Sequence, residues 1–231
     1  MLDDLQLPEH EVHVWWAHAR PRPTDLLAFL DPIEATRLSS LPRAPDRERF
    51  ASAHVLTKVV LGGYQGISFL DDEVAIRPHC KHCGSDAHGK PALWDTHPQF
   101  TFSVAYAGAR VGVAIAQVPV GIDVLTMDVD RPHPVALTWA RKEAVLKATG
   151  DGLVVPLEAL EVSAPDAEPA LLRWDGGLKP GDVQLVDLFP GAGHVGAVAI
   201  LPTSDYPGPF RVTERDGEEL LAAAVQGPSI A

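Results

Sequence analysis

The feature that most constrains the fold and function of this chain is a short apolar segment with a single acid. A helix that carries an acid and a lysine follows it. Residues 120–123 (VGID) are apolar except for Asp123, which is typical of a buried strand. Residues 134–149 have the pattern of a helix, on which Glu143 and Lys147 are four residues apart and so share one face. Together the three side chains could hold a divalent metal ion against a phosphate. The same Glu–Lys spacing is also common in exposed ion pairs, so spacing alone leaves both interpretations open.

Each half of the chain combines a long predicted helix with several short predicted strands. Residues 46–64 form the longest helical pattern of the first half, because apolar side chains recur there every three or four residues. The predicted strands are 11–19, 99–107, 109–118, 120–125, 160–163, 183–189 and 196–201. The halves could therefore form similar lobes. The predicted division is an N-terminal lobe (1–118), a C-terminal lobe (119–202) and a C-terminal appendage (203–231).

The composition is that of an ordinary globular protein. The 231 residues are 46% hydrophobic and 22% charged, enough for one large domain or two small lobes. No apolar run reaches the roughly 18 residues of a membrane span, and the acidic N-terminus lacks a signal-peptide core. We therefore expect a cytoplasmic protein without a membrane partner. A net charge of −12 without a basic stripe argues against a nucleic-acid partner, whereas a small phosphorylated ligand needs only a few local cations.

The only two cysteines lie close together in a segment rich in histidine. Cys80 and Cys83 have the spacing of a metal or redox site and make a poor disulfide framework. With His88 or His97 they could form a tetrahedral zinc site. A pair of reduced, partly buried cysteines is the alternative. In either case we expect residues 77–91 to form a loop.

Five segments occur in an order that points to one enzyme family. They are RERF with its following helix at 47–64, HGKP at 88–91, FSVAYAG at 102–108, VGIDVL at 120–125 and WARKEAVLKATGDGL at 139–153. Over about residues 12–202 the chain resembles the surfactin-type 4'-phosphopantetheinyl transferases. The resemblance implies an α+β fold of two similar lobes related by a pseudo-twofold axis, each a small antiparallel sheet packed on a long helix. It also implies coenzyme A between the lobes, a Mg²⁺ ion, and transfer of the 4'-phosphopantetheine arm to a serine of an acyl or peptidyl carrier protein of secondary metabolism.

The resemblance also assigns roles to the three charged residues described first. Asp123 and Glu143 match two Mg²⁺ ligands of the family, and Lys147 matches the family lysine that contacts phosphate. Mg²⁺ prefers oxygen ligands and keeps several waters, which two carboxylates and a pyrophosphate can satisfy. Either Glu143 or a metal-bound water would take the proton of the attacking serine.

Further coenzyme-binding residues are expected in the first lobe. Arg49, Lys58 and Lys90 are candidates for phosphate contacts, because guanidinium and ammonium groups bind phosphate well; an ordinary solvated helix face is the alternative. Tyr106 stands where the family has a histidine that grips the nucleotide phosphate. Tyrosine donates one hydrogen bond but carries no positive charge at neutral pH. Nucleotide binding should then weaken, unless the pocket accepts another ligand or the tyrosine is a buried structural residue.

The usual third metal ligand of the family has no counterpart here. It lies two residues after Asp123, on the same face of the strand, and that position is Leu125. Asp128 or Asp130 could substitute only if the strand ends early. These departures give a second hypothesis, in which a diverged homologue has lost the transfer. It would act as a carrier-protein or pantetheine-binding module, or catalyse different chemistry in the cleft between the lobes.

Overall fold

Helices and small, mainly antiparallel sheets make up the fold. The computed structural model describes residues 5–67, 74, 76–94, 100–128, 130, 132–175 and 177–226. The α-helices of these ranges are α1 (Pro32–Ser40), α2 (Ala44–Gln65), α3 (His133–Thr149) and α4 (Glu218–Gln226). The strands are β1 (Glu11–His18), β2 (Ile76–His79), β3 (Lys90–Leu93), β4 (Thr101–Ala107), β5 (Arg110–Ala116), β6 (Val120–Thr126), β7 (Leu160–Val162), β8 (Leu171–Trp174), β9 (Gln184–Leu188), β10 (His194–Ile200) and β11 (Arg211–Asp216). None of these helices is both long and apolar enough to cross a membrane. The predicted α+β class is confirmed.

The strands form two larger sheets and two small ones. The first sheet has the order β11-β1-β5-β4, antiparallel except for the parallel pair β1 and β11. The second sheet has the order β6-β10-β9 and is antiparallel throughout. The pairs β2-β3 and β7-β8 are two-stranded and antiparallel.

The two larger sheets share one apolar core. Alternate residues of β1, namely Val12, Val14 and Trp16, pack into a cluster with Ile122 of β6 and Val198 of β10. These three residues therefore share one face of β1. The opposite face of the first sheet packs against α2, and the opposite face of the second sheet packs against α3. Each sheet therefore has one long helix against it, while the similarity of the two halves stays a prediction.

Helix α3 lies directly on strand β6, at Gly121. A Cβ atom added at Gly121 would lie 2.1 Å from the carbonyl oxygen of Ala144 and 2.2 Å from the amide nitrogen of Ala148. Only glycine permits this approach, since real Cβ atoms do not come so close to backbone. Residues on the same face of β6, including Asp123 two positions on, must therefore point towards α3.

The histidine-rich segment is a hairpin rather than a loop throughout. Strands β2 and β3 pair with Pro78 opposite Pro91, and only residues 80–89 between them are irregular. The predicted loop at 77–91 was thus wrong at both ends. Proline cannot donate a ladder hydrogen bond and is depleted in strands, which hides such short strands from pattern reading.

The segment after residue 202 contributes to the packing of the first sheet. Strand β11 pairs along β1, and helix α4 packs on α2 with Leu221 fully buried. The division of the chain after residues 118 and 202 stays a prediction.

Candidate active site

Strand β6 and helix α3 bring a buried carboxylate into contact with a lysine. Asp123 is 7% exposed, and the Lys147 Nζ atom donates a hydrogen bond to its Oδ1 atom over 2.7 Å. Burial raises the pKa of Asp123, and the attraction of Lys147 only partly offsets this. The Oδ2 atom is buried and makes no hydrogen bond with any residue that the structure describes. A buried carboxylate oxygen without a donor is unfavourable unless a cation or another donor binds it.

Glu143 completes the predicted triad. It lies one helical turn before Lys147 and accepts a hydrogen bond from the Trp139 Nε1 atom over 3.3 Å. Its negative charge also contributes to the raised pKa of Asp123, so the two carboxylates act on each other. A site with two nearby acids and a lysine suits a divalent cation and an anionic ligand together.

The donor atoms of this site are of the kind that Mg²⁺ prefers. The unsatisfied Oδ2 atom of Asp123 and the carboxylate of Glu143 supply the hard oxygen donors that this ion prefers. Leu125 is half-buried and packs against apolar residues of α3. Strand β6 continues through Thr126, so it does not end early, and Asp128 lies exposed beyond it. Asp130 is exposed as well.

The turn between β4 and β5 lies beside Thr126, the last residue of β6. Tyr106 is 46% exposed near the end of β4, and Arg49 donates a hydrogen bond to the carbonyl of Gly108 over 3.1 Å. The His194 Nε2 atom lies 3.2 Å from the carbonyl oxygen of Ala107. A histidine is therefore present next to the turn, although not at the expected position 106. Sequence reasoning missed it, because nothing in the spacing of these residues links them across the chain.

Two comparisons with known proteins point to the same kind of transferase. The model of the 4'-phosphopantetheinyl transferase superfamily matches residues 123–199. The chain is also 26% identical over 233 residues to the 4'-phosphopantetheinyl transferase HetI of Nostoc sp. (strain PCC 7120), across 85% of this chain and 90% of HetI. The chain is therefore similar to the 4'-phosphopantetheinyl transferases over most of its length. The matched segment begins at Asp123 and includes Glu143 and Lys147.

The chain is thus an enzyme of the 4'-phosphopantetheinyl transferase type. The family resemblance read from the sequence is confirmed at the level of the superfamily. Assignment to the surfactin-type subfamily stays a prediction, as do the roles of individual site residues.

Lys58 of this transferase is held by groups outside the triad. Its Nζ atom donates to the Glu34 Oε2 atom over 2.6 Å and to the carbonyl of Phe29 over 3.0 Å, and both charged side chains are buried. Burial alone would raise the pKa of Glu34, but hydrogen bonds from His54 and Lys58 outweigh it and hold the pKa at about 2. This pair gives Lys58 a structural role, and its assignment as a phosphate contact stays a prediction.

Lys90 is also occupied by protein oxygens. Its Nζ atom lies 2.7 Å from the carbonyl oxygen of Val120 and 3.4 Å from that of Ala148. Burial lowers the pKa of this amine to about 8. Lys90 therefore joins the hairpin β2-β3 to the start of β6 and the end of α3, and its assignment as a coenzyme contact stays a prediction.

Proposed function

We propose that this transferase moves the 4'-phosphopantetheine arm of coenzyme A to a serine of an acyl or peptidyl carrier protein. The observation that carries the proposal is the unsatisfied, buried Oδ2 atom of Asp123 beside the amine of Lys147. A cation and a phosphate group together would satisfy both side chains. The cytoplasmic location and the place in secondary metabolism stay predictions.

The reaction is a substitution at the β-phosphorus of coenzyme A. The bond from the serine oxygen to phosphorus forms, the bond from phosphorus to the bridging oxygen breaks, and adenosine 3',5'-bisphosphate leaves. Glu143 accepts the serine proton, and Lys147 stabilises charge on the phosphate oxygens. Asp123 and Glu143 would hold Mg²⁺, which when bound neutralises the pyrophosphate and stabilises the transition state.

The β4–β5 turn is the proposed contact for the nucleotide end of coenzyme A. Tyr106 offers an exposed hydroxyl there, and Arg49 adds a guanidinium at the same turn. Arg49 also pairs with Asp46, so binding a phosphate would require exchange of that partner. A neutral tyrosine and an arginine that already has a partner attract phosphate less strongly than a histidine and an unpaired arginine would. We therefore expect modest affinity for the nucleotide.

The carrier protein is proposed to dock mainly through apolar contacts. The chain has a net charge of −12, and carrier proteins are themselves acidic, so attraction between the whole molecules is not available. Val135 is 49% and Trp139 is 44% exposed on α3, the helix that carries Glu143. They offer apolar surface next to the proposed base.

The direct experiment incubates the protein with coenzyme A, Mg²⁺ and a panel of apo carrier proteins, and weighs each carrier by mass spectrometry. We expect addition of phosphopantetheine to at least one carrier, and its loss when Mg²⁺ is chelated. The variant Leu125→Glu should lower the Mg²⁺ concentration needed, because it adds a third carboxylate. Leu125→Gln is the matched control, of similar size but without charge. No transfer to any carrier at high enzyme concentration would contradict the proposal.

The second candidate function is binding without transfer, or different chemistry in the same site. Leu125 in place of an acid and Tyr106 in place of a histidine favour it. Coenzyme A binding that does not depend on Mg²⁺ would support this candidate. The double variant Leu125→Glu/Tyr106→His separates the two cases. A large gain in transfer would indicate a weakened transferase site, and no gain would indicate a different reaction.

A further inference from the structure

The loop between β2 and β3 gathers two thiols and an imidazole. The Sγ atoms of Cys80 and Cys83 and a ring nitrogen of His88 all lie within 4.8 Å of one another. The Cys83 Sγ and His88 Nε2 atoms are 3.5 Å apart. Both cysteines are free thiols rather than a disulfide. This group lies in the hairpin, apart from Asp123 and its partners.

These separations are close to those of a tetrahedral metal site. Zinc bonds of about 2.3 Å to sulfur and about 2.0–2.1 Å to nitrogen place a thiolate and an imidazole nitrogen about 3.5 Å apart, and two thiolates about 3.8 Å apart. The Cys83–His88 separation already has this value. The group would close around an ion with shifts of about an ångström or less at Cys80.

The backbone of the loop is arranged around the sulfur of Cys80. The backbone amides of Cys83 and His82 are directed at this sulfur. The Gly84 amide donates to the Cys80 carbonyl over 2.8 Å, and Gly84 has a φ of +71°, a conformation that favours glycine. Two amides directed at one sulfur are a second observation, independent of the grouping of side chains.

Glycine also lets His88 approach the cysteines. Gly89 has a φ of +117°, and a Cβ atom there would lie 2.2 Å from the carbonyl oxygen of His79. The backbone at Gly89 therefore contacts the backbone at His79, on the other side of the loop. Any other residue at position 89 would move His88 away from Cys80.

We propose that Cys80, Cys83 and His88 bind one Zn²⁺ ion, with a water molecule in the fourth position. Soft thiolate ligands select zinc over Mg²⁺, so this site differs in kind from the carboxylate site. The two other histidines of the hairpin have partners of their own. His79 contacts Asp86 over 3.0 Å, and His82 contacts Asp151 over 3.3 Å. The sequence left zinc and a reduced cysteine pair as alternatives, and the geometry favours zinc. His97, the other ligand considered, lies outside the described residues.

The ion would fix the loop against the end of helix α3. Lys81, between the two cysteines, forms a 2.7 Å ion pair with Asp151, two residues beyond the end of α3. Lys90, at the other end of the loop, donates to the carbonyl of Ala148. A loop held by zinc would therefore hold the helix that carries Glu143 and Lys147.

The test measures metal content and does not depend on transfer activity. The full chain is purified under reducing conditions without added metal, dialysed, and analysed for metal and protein by mass spectrometry. We expect about one zinc ion per chain in the wild type, and loss of most of it in Cys83→Ser and His88→Asn. His82→Asn is the matched control, since it changes a histidine of the same loop that is not a ligand, and it should keep the ion.

A spectroscopic measurement on the wild type tests the proposal even if the variants fail to fold. Cobalt exchanged into the apo protein should give the absorption bands of a tetrahedral thiolate site. Either of two results would overturn the proposal: absence of both zinc and thiolate–cobalt bands in the reduced wild type, or full zinc content in folded Cys83→Ser. Failure of carrier modification with normal zinc content would count against the proposed function alone.

Discussion

Asp123 is a residue whose environment suits function better than stability. Its carboxylate is buried, its pKa is raised by that burial, and its Oδ2 atom makes no hydrogen bond with the described part of the chain. A folded pKa above the unfolded value means that the ionised form is disfavoured on folding. The stability contributed by this group is then present at low pH and lost as pH rises through the raised pKa.

The variant Asp123→Asn should therefore separate stability from activity. Without Mg²⁺, we expect a free energy of unfolding equal to or above that of the wild type at neutral pH, because no buried charge remains. Transfer should fall roughly a hundredfold or more, since transition-state stabilisation by the metal site is lost. Thermal unfolding with and without Mg²⁺ checks the link, because Mg²⁺ should raise the wild-type melting temperature but not that of the variant. A clearly less stable variant that keeps transfer would contradict this reading.

The Glu34–Lys58 pair should behave in the opposite way. The folded pKa of Glu34 is about 2, below the ordinary value of 4.5. Its contribution to stability is therefore full above about pH 4.5 and is lost as pH falls towards 2. Lys58→Met should lower the free energy of unfolding by about 3–5 kcal/mol, because it leaves a buried carboxylate without its amine. Urea unfolding at pH 7 measures this.

The double variant Glu34→Gln/Lys58→Met is the control for that prediction. Removing both charges should recover part of the stability lost in Lys58→Met. Glu34→Gln should also remove the part of the pH dependence between about pH 4.5 and 2 that this carboxyl contributes. If Lys58→Met is as stable as the wild type but binds coenzyme A poorly, Lys58 contacts phosphate as the sequence predicted.

At this scale the sequence predicted local pairs better than distant ones. Glu143 and Lys147 share a helical face by their spacing, and the strand before α3 placed Asp123 against that helix. The partner of Lys58 lies 24 residues earlier, and no periodicity connects them. The contact between His194 and the β4–β5 turn spans 87 residues and was equally invisible.

The close contact between β6 and α3 determines where the site residues lie. The backbone of α3 touches the strand at Gly121, so a side chain there would push the helix outward. Such a shift would separate Asp123, which lies on the strand, from Lys147, which lies on the helix. The contact between helix α3 and strand β6, rather than any one side chain, therefore determines the 2.7 Å distance between the Lys147 Nζ and Asp123 Oδ1 atoms.

Gly121→Ala should therefore damage both stability and transfer. We expect the free energy of unfolding to fall by at least about 2 kcal/mol, because the added methyl group meets backbone that cannot rotate away. Gly181→Ala is the matched control, since a Cβ atom at Gly181 would have no neighbour within 4 Å. Denaturant unfolding and carrier modification measured on both variants check the prediction. An unaffected Gly121→Ala would mean that α3 can move away from β6 without consequence.

Elements with regular periodicity could be predicted, whereas several short or interrupted ones could not. The patterns of β1, α2 and α3 extend over two or more turns or several alternations, so the sequence determined their type. Strands β2 and β3 have only four residues each, with prolines paired across them, and were expected to be loop. Strand β8, also four residues long, gave no signal either.

At the scale of the whole molecule, the first sheet contains strands from both ends of the described chain. Strand β1 pairs in parallel with β11, with Glu11 opposite Arg211. Parallel pairing between segments 200 residues apart leaves no local pattern, since neither strand is adjacent to the other in sequence. For this reason the sequence suggested only an appendage after residue 202.

The segment after residue 202 should therefore be required for the stability of the first sheet. Leu221 of α4 is fully buried in the core formed by α2 and the first sheet. Leu221→Ala should lower the free energy of unfolding by about 2–5 kcal/mol, because it leaves a cavity in a packed core. Glu219→Ala changes an exposed position of the same helix and should alter the free energy by less than about 0.5 kcal/mol. Chemical denaturation of both variants measures the difference.

If the two variants unfold alike, α4 docks too weakly to stabilise the molecule, and the segment after residue 202 is an appendage in the thermodynamic sense. If only Leu221→Ala is destabilised, the N-terminal sheet cannot be treated as a lobe that ends near residue 118, because part of its core comes from the other end of the chain.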